Sequence, residues 1–330
     1  MLNVSTYNLQ PATCNMWMVM KNFDWQKIVQ AYLKDASNPL IVILGPTASG
    51  KTSFSIEVAK FIRNAEIVNA DSRQLYRGLN IGTAKITEEE MEGIPHHLID
   101  ILDSNEEAAA GWYQTEASRK INEIRERGNV PLLVGGSMLY LSTITDDLSM
   151  SAPTPDPEIR ERLMREYDKD DGVILYKRLT EIDPDTAARI HRHNKPRLVR
   201  AVEICELLEH KPQATSVPQT ELRPRDQSDS SDILIFGIRC PREELIERIN
   251  KRTELMFDTG WIEEVQNLLD QGYTDQDPGM KSTGYREIVE YINSDDQDIS
   301  QLKESIAAKT RQYARRQMTW WKRDDRINWV

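Results

Sequence analysis

The chain has 330 residues, enough for about two domains; 42 are Lys or Arg and 53 are Asp or Glu, giving a formal net charge of −11. A protein that coats nucleic acid or membrane with its whole surface would be basic, so that class is excluded, although a local basic face is not. Hydrophobic residues make up 39% of the chain and charged residues 29%, which is typical of a globular protein and excludes wholesale disorder.

The positions of the cysteines and the lengths of the apolar runs indicate the cellular compartment. Cys14, Cys205 and Cys240 lie far apart, which fits neither a disulfide scaffold nor a zinc ribbon. The longest apolar runs, 16–20 and 40–44, are far shorter than the ~20 residues of a membrane helix. The uncharged first 20 residues lack the basic region of a secretory signal. We therefore expect a cytoplasmic protein without a membrane partner.

Apolar runs alternate with segments of helical periodicity, which predicts an α/β fold with a parallel sheet. Strands are predicted at 39–44, 67–68, 130–134 and 233–238. Helices between and after them are predicted at 51–63, 108–127, 242–257, 261–271, 283–293 and 298–321.

A proline-rich segment marks a boundary within this pattern. Residues 151–157 hold three prolines, which cannot continue a helix. Residues 158–208 have helical periodicity alone, and residues 212–232 are polar and rich in Pro and Ser. We predict a core of residues 39–150 and 212–330, interrupted by a helical insertion domain at 151–211. Residues 1–38 are expected to be an N-terminal extension, either disordered or placed before the true translation start.

A phosphate-binding motif lies between the first predicted strand and helix. The residues that match G-x-x-x-x-G-K-[ST] are Gly45, Pro46, Thr47, Ala48, Ser49, Gly50, Lys51 and Thr52. The glycines let backbone amides curl around a phosphate, the lysine supplies positive charge, and the last hydroxyl can hold Mg²⁺. The motif predicts a P-loop NTPase-like core that binds a di- or triphosphate.

The positions of acidic residues near this loop help to distinguish an NTPase from a protein with another phosphate-binding function. An NTPase holds Mg²⁺ with an acid at the end of a second hydrophobic strand. The strand at 130–134 ends in Gly135, Gly136 and Ser137 instead, which weakens the NTPase interpretation. Asp71 follows the second strand and is expected near the phosphate loop. It either forms a helix cap or turn, bridges to Mg²⁺, or accepts a proton from a nucleophile.

Further segments extend this pattern from about residue 40 to the C-terminus. They include Asp71-Ser-Arg-Gln-Leu-Tyr, Leu133-Val-Gly-Gly-Ser-Met-Leu-Tyr, Pro196-Arg-Leu-Val-Arg and Gly284-Tyr-Arg. Together with the phosphate loop, in this order, they resemble the bacterial type of the tRNA dimethylallyltransferase (tRNA isopentenyltransferase) family.

The resemblance implies a reaction and its catalytic residues. The loop would hold the diphosphate of dimethylallyl diphosphate, and the dimethylallyl group would move to N6 of adenosine 37 in tRNAs that read codons beginning with U. Asp71 would take the N6 proton, and Arg252 and Lys51 would stabilise the leaving diphosphate, with Mg²⁺ on Thr52. Ser137 stands where the family commonly has Thr, and it keeps the hydroxyl.

The resemblance also implies a set of residues that contact the tRNA anticodon stem-loop. They are Asp71, Ser72, Arg73, Gln74, Ser137, Arg160, Pro196, Arg197, Arg200, Lys281, Gly284, Tyr285, Arg286, Arg315, Arg316, Gln317 and Trp320. Two basic stretches, 189–200 and 309–326, are either an RNA-binding footprint or solvated helix faces. Phe257, Tyr285 and Trp320 are either stacking partners of the flipped base or core residues.

Three smaller predictions and two alternatives remain. Pro196 stands where a relative carries Gln, so an amide contact to RNA is expected to be lost. His96 and His97 are expected to cap or pack on a loop rather than bind zinc, and the protein is expected to be a monomer. The alternatives are an isopentenyltransferase acting on free AMP or ADP, which would not need the insertion, and a P-loop nucleotide-switch protein.

Overall fold

The computed structural model describes residues 23–146, 153, 156–209, 233–295 and 298–330. The predicted linker at 212–232, residues 1–22 and most of the proline-rich boundary lie outside the described residues. The chain divides into two compact units, one from 1–146 and 226–330 and the other from 147–225.

A six-stranded sheet forms the centre of the first unit. Its strands are β1 (Leu40–Leu44), β2 (Ala65–Asn69), β3 (His96–His97), β4 (Val130–Gly135), β5 (Ile233–Gly237) and β6 (Ile327–Trp329). Their order is β3-β2-β4-β1-β5-β6, and every neighbouring pair is parallel. The predicted parallel α/β core is therefore confirmed.

Helices connect these strands and follow them. In the first unit they are α1 (Trp25–Asp35), α2 (Lys51–Ile62), α3 (Glu88–Met91), α4 (Ala110–Glu126), α5 (Met138–Thr145), α10 (Arg242–Asp258), α11 (Trp261–Asp270), α12 (Tyr285–Ile292) and α13 (Ile299–Trp321). In the second unit they are α6 (Pro157–Asp170), α7 (Val173–Ile182), α8 (Pro184–Arg189) and α9 (Lys195–Glu209).

Strand β1 explains why the sheet is covered on both faces. Side chains alternate across a strand, and all five residues of β1 are buried. Leu40, Val42 and Leu44 pack into one apolar cluster, whereas Ile41 and Ile43 pack into another. The continuous apolar run is thus a strand between two helical layers, as the sequence predicts.

Residues 23–38 differ from the predicted N-terminal extension. They contain helix α1, which Asp24 caps by accepting the Lys27 N–H. Trp25 is 5% exposed and packs edge-on against Phe54 of α2, with ring centroids 5.5 Å apart. The prediction that order begins at residue 39 is wrong, because this short polar helix buries Trp25 and Val29 in the apolar cluster that contains Phe54 of α2.

The second unit has its own apolar core. Leu163, Leu175, Leu179, Leu198 and Val202 are each 0% exposed and belong to one cluster. Within its described part this unit contains helices and no strand, in agreement with the helical periodicity of 158–208.

Two short strands were not predicted. His96 and His97 form edge strand β3 instead of a loop, since they pair with Ile67 and Val68 of β2. Residues 327–329 form β6 beside β5. Among the described residues, no helix has the length and apolar character needed to cross a bilayer.

Candidate active site

The carboxyl ends of three neighbouring strands form the candidate site. Strand β4 lies between β2 and β1, with Asn69 opposite Val134 and Leu44 opposite Gly135. The chain leaves β1 into the phosphate loop, β2 into Asp71, and β4 into Gly136. Because parallel strands end on one edge, these three segments lie side by side.

The phosphate loop has the conformation that an anion-binding loop needs. Ala48 and Gly50 adopt positive φ values of 61° and 94°. The Ser49 N–H donates to the Pro46 carbonyl at 3.2 Å. The Ser49 hydroxyl is buried and, within the described part of the chain, has no hydrogen-bond partner. An unpartnered buried hydroxyl beside the first turn of a helix favours a polar ligand in the loop.

Two cations and one carboxylate face this loop. Lys51 donates to the Pro46 carbonyl at 2.7 Å. Burial and the positive charge of Arg252 lower the pKa of Lys51 to about 8, although Asp71 opposes that shift. Burial likewise lowers the pKa of Arg252, again against Asp71. Lys51 and Arg252 are half-buried, and an excess of partly desolvated positive charge is costly unless an anion compensates it, so the site is electrostatically prepared for a phosphate group.

The lowered pKa of Lys51 predicts a pH dependence of anion binding. The lysine is charged below about pH 8 and becomes neutral as the pH rises through that value. At pH 7 the wild type should bind inorganic pyrophosphate about 10- to 100-fold more tightly than Lys51→Met, as expected for a charge-assisted hydrogen bond. Calorimetric titrations from pH 7 to 10 should show that the ratio of the two dissociation constants decreases above pH 8. The ligand's own titration affects both proteins equally and cancels in this ratio. A ratio that stays constant would contradict the assignment.

Asp71 combines a turn with a free carboxylate oxygen. Its Oδ1 accepts the Arg73 N–H at 2.9 Å, and its own N–H donates to Asn69 Oδ1 at 2.9 Å. In the described part of the chain, Oδ2 has no hydrogen-bond partner. The turn interpretation is therefore correct for one oxygen, and the charge of the carboxylate acts on both Lys51 and Arg252.

Gly135 lets β4 lie unusually close to the backbone of Ala70, the residue before Asp71. A Cβ atom on Gly135 would lie 2.2 Å from the carbonyl carbon and oxygen of Ala70, so only glycine fits. Ser137 follows, and its hydroxyl accepts the Ser72 N–H at 2.8 Å. The hydroxyl group, which Ser137 shares with the Thr that is common in the family, therefore holds Ser72, the residue after Asp71, in place.

Residues 79–85 are hydrogen-bonded to the segment that follows Asp71. Glu264 of α11 accepts the N–H groups of Asn80 and Ile81, at 3.0 and 2.9 Å, and the Tyr285 hydroxyl at 2.5 Å. Gln74 in turn donates to the carbonyl of Ala84 at 3.2 Å. Sequence reasoning missed Glu264, because no short motif marks an acceptor so distant in the chain.

The predicted tRNA contacts of the second unit differ in their environment. Arg197 is exposed and has no ion pair among the described residues, and Pro196 is exposed beside it. Arg160 and Arg200 both donate to the fully buried Glu203, at 3.0 and 2.8 Å. A buried carboxylate thus holds two predicted RNA-binding arginines from helices α6 and α9.

The predicted contacts of the C-terminal helices divide into exposed and buried residues. Lys281, Arg286, Arg315, Arg316 and Trp320 are exposed, and Trp320 is 47% accessible. The exposed residues remain predicted RNA contacts.

The other predicted RNA contacts of this region are buried, and the prediction of a side-chain contact is corrected for them. Tyr285 is 0% exposed, and its hydroxyl binds Glu264 and the Gly82 N–H. Gly284 is buried beneath the ring of Trp261. Gln317 is 1% exposed and binds the phosphate loop. Burial removes the side chains of Tyr285 and Gln317 from a direct RNA contact and favours the packing interpretation of Tyr285.

The histidine pair also has a structural role. His97 Nε2 lies 2.6 Å from the buried Glu66 carboxylate, which also accepts from Arg127 and Asn129. These hydrogen bonds lower the pKa of Glu66 to about 2, in spite of its burial. No group of three metal-ligating side chains occurs among the described residues.

Fold and site together define a class. A parallel sheet whose first strand leads through a glycine-rich loop into a helix, with half-buried cations at the loop, is typical of a P-loop-type phosphate-binding α/β protein. Two features distinguish this protein from the NTPases of that class. Asp71 lies beside the loop, and glycines stand at the end of β4 where an NTPase carries the acid that holds Mg²⁺.

Comparison with known proteins narrows the class to one family. The sequence profile of the family described as IPP transferase matches residues 74–324. The chain is 37% identical to a tRNA dimethylallyltransferase of Bacillus velezensis, over 90% of this chain and 92% of that one. It is 36% identical to its counterpart in Bacillus subtilis, over 90% and 92%. The chain belongs to the IPP transferase family.

Solved structures agree with this assignment. The full-length tRNA isopentenylpyrophosphate transferase of Bacillus halodurans has a TM-score of 0.64 and 35% identity, covering 89% of this chain and 90% of that one. A eukaryotic dimethylallyltransferase acting on tRNA has a TM-score of 0.68 and 25% identity, covering 86% and 70%.

Proposed function

We propose that this protein transfers the dimethylallyl group of dimethylallyl diphosphate to N6 of adenosine 37 in tRNAs that read codons beginning with U. The observation that carries the proposal is the cationic phosphate loop after β1 together with Asp71 after β2, at the same edge of the sheet and separated by the end of β4. A prenyl diphosphate needs the first feature, and a weakly nucleophilic amine needs the second.

The reaction assigns a role to each charged group. The N6 nitrogen attacks the first carbon of the dimethylallyl group, the carbon–oxygen bond to the diphosphate breaks, and the N6 proton passes to Asp71. Lys51, Arg252 and the loop amides stabilise the negative charge that develops on the departing diphosphate. Charge stabilisation by groups already in place is commonly the largest catalytic contribution.

Mg²⁺ fits this loop as a partner of the diphosphate. Thr52 is exposed at the first turn of α2, and its hydroxyl has no hydrogen-bond partner among the described residues. Mg²⁺ is commonly held by one or two protein oxygens together with substrate phosphates and water. Thr52 would supply that protein oxygen, and the ion would neutralise diphosphate charge.

The acceptor tRNA is proposed to bind through the exposed basic residues. Arg315, Arg316 and Trp320 lie on helix α13, and the guanidinium of Arg316 lies 5.7 Å from the ring centroid of Tyr313. In the second unit Arg197 is free to meet a backbone phosphate. Basic residues interleaved with aromatic rings are typical of RNA-binding surfaces. The protein would then act in the cytoplasm, where tRNA is modified, and as a monomer.

One substitution tests the RNA contact in the second unit. Arg197→Ala should weaken binding of an anticodon stem-loop and reduce the salt dependence of its log Kd by about 1, the effect of one lost phosphate contact. The exposed Arg165→Ala, outside the predicted set, is the matched control. Arg200→Ala added to Arg197→Ala should flatten the dependence further, but it also leaves Glu203 with one arginine fewer. An unchanged salt slope would place the RNA elsewhere.

The position of the modification is testable by mass spectrometry. After reaction of unmodified tRNA with the protein, Mg²⁺ and dimethylallyl diphosphate, nuclease digestion should yield one fragment heavier by a dimethylallyl group. That fragment should contain adenosine 37. A modified fragment from another part of the tRNA would contradict the assigned position.

A further inference from the structure

Gln317 is a buried amide that joins two loops of the site. It lies on helix α13 and is 1% exposed. Its Oε1 accepts the N–H of Thr47 in the phosphate loop at 2.9 Å, and its Nε2 donates to the carbonyl of Gly136 at 2.8 Å. Both ends of the amide are used, so the partners fix its orientation.

The absence of a side chain at residue 136 makes this contact feasible. A Cβ on Gly136 would lie 2.5 Å from Gln317 Nε2 and 3.7 Å from Lys51 Nζ. Gln317 therefore occupies the space beside the phosphate loop that a larger residue at 136 would fill. Tyr313, one turn earlier on the same helix, donates to the Gly136 carbonyl at 3.2 Å.

A second hydrogen bond continues the connection to the acid. Ser137 is the next residue after Gly136, and its hydroxyl accepts the Ser72 N–H. The loop after β1 is thus tied to the end of β4 by Gln317. The end of β4 is in turn tied to the Asp71 segment by Ser137.

We propose that Gln317 is a positioning residue that sets the spacing between the phosphate loop and Asp71. Given the proposed function, on which this inference rests, that spacing is the distance between the diphosphate donor and the base that deprotonates the acceptor. A misplacement of ~1 Å can slow such a reaction about 100-fold. Gln317 touches neither substrate and acts through Thr47 and Gly136.

Gln317→Met tests this role, since methionine has a similar shape and makes neither hydrogen bond. We expect kcat per folded enzyme to fall about 10- to 100-fold, with the KM for tRNA unchanged because the side chain is buried. The Kd for inorganic pyrophosphate should rise at least about threefold, because the loop loses its preorganisation. The exposed Gln312→Met on the same helix is the control and should match the wild type.

The readouts separate this role from simpler ones. A merely structural role would lower the melting temperature and the folded fraction, and would leave kcat per folded enzyme and the pyrophosphate Kd unchanged. A raised KM for tRNA with unchanged kcat would make Gln317 an RNA contact. Either result overturns the inference. If the wild type transfers nothing, the proposed function fails, and the pyrophosphate Kd alone then decides the role of Gln317.

A double variant gives an independent check. Gln317→Met and Ser137→Ala act on neighbouring links of one connection, so their effects on kcat should be less than additive. Fully additive effects would mean that the two side chains act separately and would overturn the proposed connection.

Discussion

Asp71→Asn should lower the turnover of dimethylallyl transfer by ~10²–10⁴, the range for a lost general base, while the affinity for tRNA stays at the wild-type value. The carboxylate is the proton acceptor in the proposed reaction, and an amide cannot take a proton at neutral pH. Single-turnover rates with saturating tRNA and donor would measure the effect on the chemical step.

Asparagine is the informative replacement because it keeps the turn. Asp71 Oδ1 accepts the Arg73 N–H, and the amide oxygen of asparagine can do the same. Asp71→Ala removes both the base and this hydrogen bond, so the difference between the two variants measures the contribution of the turn. Near-wild-type turnover in Asp71→Asn would assign proton transfer to another group.

Gly135→Ala should reduce turnover about 100-fold and destabilise the fold. The new Cβ would meet backbone atoms of Ala70 at 2.2 Å, and backbone cannot yield as a flexible side chain does. Overpacking of this kind costs about 1–3 kcal/mol. Strand β4 would separate from β2 at its carboxyl end, which displaces Asp71 relative to the phosphate loop and slows the reaction.

Gly128→Ala is the matched control for this effect. Gly128 has φ +75°, and a Cβ atom added there would meet no described atom within 4 Å, so alanine costs about 1–2 kcal/mol in backbone strain alone. It precedes β4, at the opposite end of the strand from Ser137. Denaturant titrations should show comparable losses of stability in the two variants, and only Gly135→Ala should lose turnover. Equal turnover in both would contradict the spacing argument.

Local signals in the sequence predicted most of the central fold. The apolar run at 39–44 and the motif at 45–52 indicate a strand, a loop and a helix whose chemistry is contained in consecutive residues. The helix at 298–321 has clear periodicity, and the structure places it at Ile299–Trp321. Residues 327–329 form a strand only because β5 offers an edge beside them, and their local sequence gives no such signal.

The misassigned side chains depend on contacts between distant residues. Gln317 lies on the buried stripe of α13 between Ala314 and Trp321, so helical spacing indicates its burial. Its partner Thr47 is 270 positions away in sequence, and no local pattern identifies that contact. Tyr285 follows Gly284 in a motif of the family, yet its ring is buried because Glu264 and Trp261 surround it. The family resemblance identified these positions as important, and the structure supplies the physical reason.

The transfer of label to tRNA tests the central claim most directly. Purified protein with Mg²⁺ and labelled dimethylallyl diphosphate would be offered unmodified tRNA carrying adenosines at 36 and 37, and AMP in a parallel reaction. The proposed function predicts label on the tRNA alone. Label on AMP would identify an enzyme acting on free nucleotides, and no label on either acceptor from folded protein would favour a nucleotide-switch protein; both would contradict the proposal.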